Sequence, residues 1–95
     1  MKAWIDEYST WILETDPKTL CAEFEPMLKE AGFGVLNFMD HHFSPQGYTA
    51  IWLIEESHFA IHTFPEENKT YIQLSSCNRE MYFRFIELMK GYEKK

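Results

Sequence analysis

Five segments of the chain are apolar or alternate between apolar and polar residues, and turn residues lie between them. Alternation with a period of two is typical of half-buried β-strands, and a short apolar run such as 50–54 is typical of a fully buried one. The link at 44–47 contains Pro and Gly, which favours an antiparallel hairpin between the second and third strands. The predicted strands are residues 3–12, 34–42, 48–55, 58–64 and 70–76. In the second, alternation predicts Leu36 and Phe38 on one face and Val35 and Asn37 on the other.

Two further segments carry apolar residues at helical spacing. The first begins with Asp16 as N-cap and Pro17 in the first turn, and Gly32 ends it. Asn78 is the predicted N-cap of the second. The apolar positions are Leu20, Phe24, Met27, Leu28 and Ala31 in the first helix and Met81, Phe85, Leu88, Met89 and Tyr92 in the second. The order β-α-β-β-β-β-α predicts an α+β two-layer sandwich, with two helices on one face of an antiparallel sheet.

Length and composition limit the classes of function. A chain of 95 residues has room for one hydrophobic core, so we expect a single domain over residues 1–95. A formal net charge of −6 argues against a nucleic-acid partner and is compatible with a cationic small molecule. Aromatic residues make up 17% of the chain, which indicates a subunit interface or a ligand-binding surface in addition to the core.

The N-terminus and the cysteines indicate the compartment. Residues 1–7 become acidic at once, which is not the pattern of a signal peptide, and no apolar run approaches the length of a membrane span. We therefore expect a cytoplasmic protein with no membrane partner, in which Cys21 and Cys77 are free thiols.

Candidate chemistry begins just after the apolar run 50–54, where Ser57 is followed by His58 and His62. We expect no metal site, because residues four apart on a strand are separated by about 13 Å and cannot share an ion. A serine hydrolase is a further alternative. It has little support, because Ser57 lacks the Gly-x-Ser-x-Gly turn that such enzymes use.

The order of residues in this region carries a resemblance to a known family. The motifs are Glu56-Ser57-His58, then Ile61-His62-Thr63 and Pro65-Glu66, and then Cys77, twenty residues after the serine. This arrangement resembles the bacterial S-adenosylmethionine decarboxylases, which make a pyruvoyl cofactor from an internal serine. The match is strongest between residues 41 and 77.

The resemblance implies self-cleavage between Glu56 and Ser57. It assigns Ser57 as the precursor of the pyruvoyl group, which forms a Schiff base with the substrate amine and accepts electrons from the carbanion. It assigns His62 as the base for processing and Cys77 as the proton donor after carbon dioxide leaves.

The resemblance also implies supporting roles for three residues. Phe43 matches the aromatic position on which the family stacks adenine, and the family's counterpart of Glu56 lies close to the substrate. Thr49 occupies the position of a processing serine. Threonine keeps the hydroxyl, but its branched side chain is restricted in χ1.

Three hypotheses follow from the resemblance. The first is a decarboxylase of S-adenosylmethionine that serves polyamine synthesis, and the second uses the same pyruvoyl chemistry on ornithine or arginine. The third is a relative that folds and dimerises but does not cleave itself. Because the family has its active sites near a dimer interface, we expect a homodimer.

Overall fold

The computed structural model describes residues 3–93. The elements in chain order are β1 (Asp6–Ile12), α1 (Pro17–Glu30), β2 (Val35–His42), β3 (Tyr48–Ile54), β4 (Ser57–Phe64), a 3₁₀ turn (Pro65–Glu67), β5 (Lys69–Ser76) and α2 (Arg79–Glu93). The predicted order of elements and the α+β class are confirmed. Among the boundaries, β1 begins three residues later than predicted and β4 one residue earlier.

The five strands form one antiparallel sheet in the order β1-β5-β4-β3-β2. Short turns connect β2 to β3, β3 to β4 and β4 to β5, so these four strands lie side by side in sequence order. β1 pairs with β5 at one edge, and β2 forms the other edge. The connection through α1 therefore crosses the whole width of the sheet.

The predicted helix caps are confirmed. The Asp16 carboxylate accepts a hydrogen bond of 2.9 Å from the Thr19 N–H, and Pro17 occupies the first turn. α1 ends at Glu30 with Ala31 as its C-cap, and Gly32 then takes a φ of 106°, which glycine reaches at little cost. In α2, the Asn78 side chain accepts a 2.9 Å bond from the Met81 N–H.

The hydrophobic core lies between the two helices and the sheet, and Phe59 of β4 is at its centre. Its ring is 5.3 Å from that of Phe24 in α1, 5.6 Å from Trp52 in β3 and 5.4 Å from Phe85 in α2. All four side chains are fully buried. Replacing a phenylalanine in such a position by alanine costs about 3–5 kcal/mol.

One expectation about β2 is wrong. Alternation placed Val35 and Asn37 on the same face, but Val35 pairs with Ile54, which faces the helices, and Asn37 pairs with Leu53, which does not. The register shifts between Val35 and Asn37, so Leu36 is the extra residue of a β-bulge. Because a bulge adds one residue to the strand, every residue after it points to the opposite face of the sheet from the one that strict alternation predicts.

The sheet has one face toward the helices and one face that no described element covers, here called the open face. Large apolar side chains on the open face are exposed: Trp11 by 49%, Met39 by 67%, Ile51 by 37% and Leu53 by 50%. Apolar side chains concentrated on one face of a sheet indicate a surface that another protein covers.

The helices also leave one strand uncovered on their own side. Two packed helices span roughly 20 Å, whereas five strands span about 24 Å. β2 is the strand left over, and its residues after Val35 are exposed. A cleft consequently lies between α1 and β2.

Candidate active site

The first group of candidate residues lies in the hairpin turn between β3 and β4. Glu55 and Glu56 form this turn, and Ser57 is the first residue of β4. Glu56 has a φ of 56°, in the left-handed region that a residue with a side chain enters at a cost of about 1–2 kcal/mol. The Glu55 N–H donates to the Gly34 carbonyl at 2.9 Å, which fastens the turn to the start of β2. The peptide bond before Ser57 therefore follows a strained residue.

Ser57 and Cys77 meet at this end of the sheet. Ser57 is paired with Ser76 across β4 and β5, and Cys77 follows immediately. The backbone N–H of Cys77 donates to the Ser57 Oγ at 3.3 Å. A hydroxyl oxygen that accepts an N–H bond is better able to carry negative charge. Ser57, Glu56 and Cys77 are called the Ser57 group below.

The segment that carries Cys77 is fixed by short polar contacts. The Ser76 Oγ donates to the Asn78 carbonyl and accepts from the Asn78 N–H, both at 3.0 Å. The Cys77 side chain itself is exposed. The chain therefore changes from β5 to α2 in a defined conformation, with the thiol facing solvent.

An ion pair beside the Ser57 group was not singled out from the sequence. Arg79 bonds to the Asp6 carboxylate through Nε and Nη2, both at 3.3 Å, and its guanidinium lies 3.9 Å from the centre of the Trp4 ring. Asp6 pairs with Ser76, next to Cys77. No sequence signal links Asp6 to Arg79, because they are far apart along the chain and meet only through the pairing of β1 with β5.

The second group of candidate residues lies on the open face. Thr49 and His62 are directly opposite each other on β3 and β4, and the Thr49 Oγ1 is 3.1 Å from the His62 Nδ1. The His62 ring also stacks on Tyr71, with centroids 6.4 Å apart. The two residues to which the resemblance assigns processing therefore form a hydrogen-bonded pair.

Phe43 lies at the same end of the sheet as this pair. It follows β2, its N–H donates to the Gly47 carbonyl at 2.8 Å, and its ring is 4.5 Å from that of His41. Half of its surface is exposed, so one side of the ring is available to a ligand. Thr49, His62 and Phe43 are called the His62 group below.

The two groups do not meet within one chain. Ser57 and His62 are five residues apart on β4, so they point to opposite faces of the sheet and are separated by about 16 Å. This separation contradicts the serine-hydrolase alternative, which requires Ser57 and His62 in contact. Among residues 3–93, no three His, Cys, Asp or Glu side chains are grouped as metal ligands, and no helix in this range is long and apolar enough to span a membrane.

A comparison with known families identifies the chain. The family profile described as S-adenosylmethionine decarboxylase matches residues 7–91. The chain belongs to this family. The resemblance deduced from the Glu-Ser-His and Ile-His-Thr motifs is thereby confirmed.

Curated relatives in the family are similar to parts of this chain. An S-adenosylmethionine decarboxylase proenzyme of Prochlorococcus marinus (strain MIT 9313) is 43% identical over 49 residues, which are 52% of this chain and 39% of that protein. Proenzymes of the same name from Persephonella marina and Sulfurihydrogenibium sp. are 39% and 37% identical, over 66% and 70% of this chain. The matches cover 48% and 50% of those two relatives, so the chain spans about half the length of the family members that it matches.

One solved structure in the family has the same fold. The adenosylmethionine decarboxylase of Aquifex aeolicus VF5 superposes with a TM-score of 0.77, covering 99% of this chain and 83% of that one. The identity is 18%, so this comparison establishes the fold alone.

Proposed function

We propose that this chain is a self-cleaving S-adenosylmethionine decarboxylase proenzyme that supplies decarboxylated S-adenosylmethionine for spermidine synthesis. The observation that carries the proposal is the contact between Ser57 and the Cys77 N–H, 3.3 Å long, beside the strained Glu56. The proposed precursor of the cofactor and the proposed proton donor are twenty residues apart in sequence and adjacent in space.

Self-cleavage begins with attack of the Ser57 Oγ on the carbonyl carbon of Glu56. The peptide C–N bond breaks as an ester C–O bond forms, and the Ser57 nitrogen gains a proton. A base then removes the Ser57 α-proton, and β-elimination releases Glu56 as a carboxylate. The dehydroalanine left at position 57 tautomerises and reacts with water to give a pyruvoyl group and ammonia.

The geometry at residues 56, 57 and 77 fits this sequence of steps. The left-handed φ of Glu56 raises the energy of the intact turn, and part of that strain is released when the bond is cut. The Cys77 N–H stabilises negative charge on the Ser57 Oγ during attack. The residues present are therefore suited to forming the cofactor.

Once formed, the pyruvoyl carbonyl supplies an electron sink for decarboxylation. Cys77 follows Ser76, the residue that pairs with Ser57 across β4 and β5, and its side chain is exposed. The role that we assign to this thiol is to deliver a proton to the substrate carbon after carbon dioxide leaves. General acids of this kind contribute about 10²- to 10⁴-fold to rates.

We further propose that two copies of the chain complete each active site. His62 is about 16 Å from Ser57 along β4 and on the other face, so it cannot act as the base for its own Ser57. The open face, which carries His62 and Thr49, has exposed apolar side chains that a second sheet would bury. Because the Ser57 group lies at the end of the sheet, beside a turn and with the Cys77 thiol exposed, a second sheet packed in the opposite direction would bring its His62 group to that end.

The substrate assignment rests on the residues around this composite site. Phe43 offers a half-exposed ring for the adenine base. After cleavage, Glu56 is the carboxyl terminus of the first fragment. Its side chain is exposed in the turn between β3 and β4. Negative charge there, in a chain of net charge −6, favours a cationic sulfonium substrate. We place the enzyme in the cytoplasm, where the free thiols of Cys21 and Cys77 stay reduced.

Intact-mass measurement of the purified chain under denaturing conditions tests the proposal. We expect two fragments, residues 1–56 and 57–95, the second without a free amino terminus. Ser57→Ala should give only the full chain. If the wild type remains uncut after long incubation, the chain is a non-catalytic relative. If it is cut but releases carbon dioxide only from ornithine or arginine, the pyruvoyl chemistry stands and the substrate is wrong.

A further inference from the structure

A cleft between α1 and β2 lies outside the candidate active site. It encloses about 480 Å³, within the range of sites that hold small organic ligands. Its floor is the helix-facing side of β2 and β3, and its wall is one side of α1. It opens on the side of the sheet opposite to His62 and Thr49.

Two carboxylates line this cleft, and buried donors hold both in place. The Tyr48 hydroxyl donates to Asp40 Oδ2 at 2.6 Å, and the Trp52 indole donates to Glu25 Oε1 at 3.0 Å. Tyr48 is 4% exposed and Trp52 is fully buried, so neither donor has an alternative partner in water. The carboxylates are therefore oriented before any ligand arrives.

Asp40 lacks a cationic partner. Within residues 3–93, no lysine, arginine or histidine forms an ion pair with it, whereas Glu25 has Lys29 at 3.5 Å. Burial and the hydrogen bond to Asp40 raise the pKa of Tyr48, so the hydroxyl keeps its proton and remains a donor. One lysine, Lys18, also lines the cleft, and its charge interacts with Asp16.

Aromatic rings surround the Asp40 carboxylate. Phe38 and His42 are its neighbours on the same face of β2, and their rings lie 4.8 Å from Trp52 and 4.6 Å from Tyr48. Ring faces beside a carboxylate attract an ammonium group.

From this arrangement we infer that the cleft between α1 and β2 binds a small organic ammonium ion, with its charged group on Asp40 and its apolar body against Phe38. The carboxylates attract positive charge, and the rings favour a cation beside their faces. The site is separate from the Ser57 and His62 groups. The inference therefore holds or fails whether or not the chain cleaves itself.

A titration followed by two-dimensional ¹H–¹⁵N NMR tests this inference on the full chain. The probes are benzylammonium and its neutral counterpart benzyl alcohol, at the same pH and ionic strength. The chain has three tryptophans, and the indole signal of Trp52 reports on the cleft while those of Trp4 and Trp11 serve as internal controls. We expect benzylammonium to shift the Trp52 signal saturably, with a dissociation constant on the order of 1 mM, and benzyl alcohol to leave it unchanged.

Two variants separate charge from shape. Asp40→Asn keeps an oxygen that accepts from Tyr48 but loses the charge, and it should weaken benzylammonium binding about 10-fold or more. Glu7→Gln removes an exposed carboxylate on β1, at the opposite edge of the sheet from β2, and should bind as the wild type does. Equal binding of the two probes, or unchanged affinity in a folded Asp40→Asn variant, would overturn the inference. So would equal, unsaturated shifts of all three indole signals.

Discussion

The two ends of the sheet contribute different kinds of chemistry. In the Ser57 group, the backbone makes the contact, because the Cys77 N–H donates to the Ser57 hydroxyl. The strained turn at Glu56 positions Ser57, and the Asn78 cap of α2 positions the segment that carries Cys77. In the His62 group, the contact is made between side chains, Thr49 with His62, on an exposed face. In our proposal, the first group provides the bond to be cut and the proton donor, and the second provides the base and an aromatic ring.

Under the proposal, this difference means that neither end forms an active site by itself. In the proposal, the Ser57 end supplies the serine to be processed, and the His62 end supplies the histidine that acts as the base. The helix-facing side of the sheet is sealed by the core around Phe59, whereas the open face leaves Trp11 and Met39 exposed. In the dimer that we propose, a second copy covering the open face would supply what each end lacks.

Mixing two inactive variants is the strongest test of this comparison. Ser57→Ala has no serine to process, and His62→Ala has no base, so each alone should remain uncut. In a mixed dimer, the Ser57 of the His62→Ala chain meets the His62 of the other chain, and cleavage should return. Random pairing puts about half of the His62→Ala chains in mixed dimers, so about half of them should be cut.

Intact mass after co-expression with tags of different mass measures this outcome. Only the His62→Ala chain should appear as fragments 1–56 and 57–95. Cleavage of His62→Ala alone would show that another group is the base. No cleavage in the mixture, with the wild type cut as usual, would show that Ser57 and His62 act within one chain.

Removing the thiol of Cys77 should separate processing from turnover. Cys77→Ala retains the backbone N–H that bonds to Ser57, so self-cleavage should continue. Decarboxylation loses its proton donor and should slow by about 10²- to 10⁴-fold, with inactivation as the proton goes to the pyruvoyl carbon instead. Fragment mass and carbon dioxide release from one preparation measure the two effects. A parallel loss of both would instead assign Cys77 to processing.

Local patterns in the sequence predicted most of the fold. The five strands and two helices follow from their patterns, and the two helix caps follow from single residues, Asp16 and Asn78. The expectation that the run 50–54 is fully buried is wrong, because Tyr48–Ile54 alternates and leaves Ile51 and Leu53 exposed. The bulge after Val35 could not be predicted, because it depends on the register against β3. The position of β1 could not be predicted either, because local sequence does not determine which edge of the sheet it joins; in the structure it pairs with β5.

The candidate site was predictable as a set of residues but not as an arrangement. Spacing and the family resemblance named Ser57, His62 and Cys77, yet their positions depend on the sheet. One signal was available: an odd separation of five residues on one strand places Ser57 and His62 on opposite faces. The contact between Tyr48 and Asp40 had no such signal, because it joins two strands through side chains.

Phe43 tests whether the His62 end also selects the substrate. Base–aromatic stacking contributes about 1–3 kcal/mol, so Phe43→Ala should lower kcat/KM for S-adenosylmethionine by about 5- to 150-fold. Phe83→Ala is a matched control, because Phe83 is 55% exposed, close to the 50% of Phe43, and lies on α2. Activity on ornithine or arginine that does not depend on Phe43 would point to the alternative substrates.

Thr49 should have the smallest effect, and it tests the hydrogen bond within the His62 group. Thr49→Val keeps the shape and removes the hydroxyl that lies 3.1 Å from the His62 Nδ1. Loss of one such bond corresponds to about 10-fold slower self-cleavage. Thr49→Ser keeps the hydroxyl and frees χ1, so it should cleave at least as fast as the wild type. The rates come from the intact-mass time course of each freshly purified variant. Equal rates for valine, serine and threonine would mean that His62 is oriented by its stacking on Tyr71 and that the hydroxyl has no role in processing.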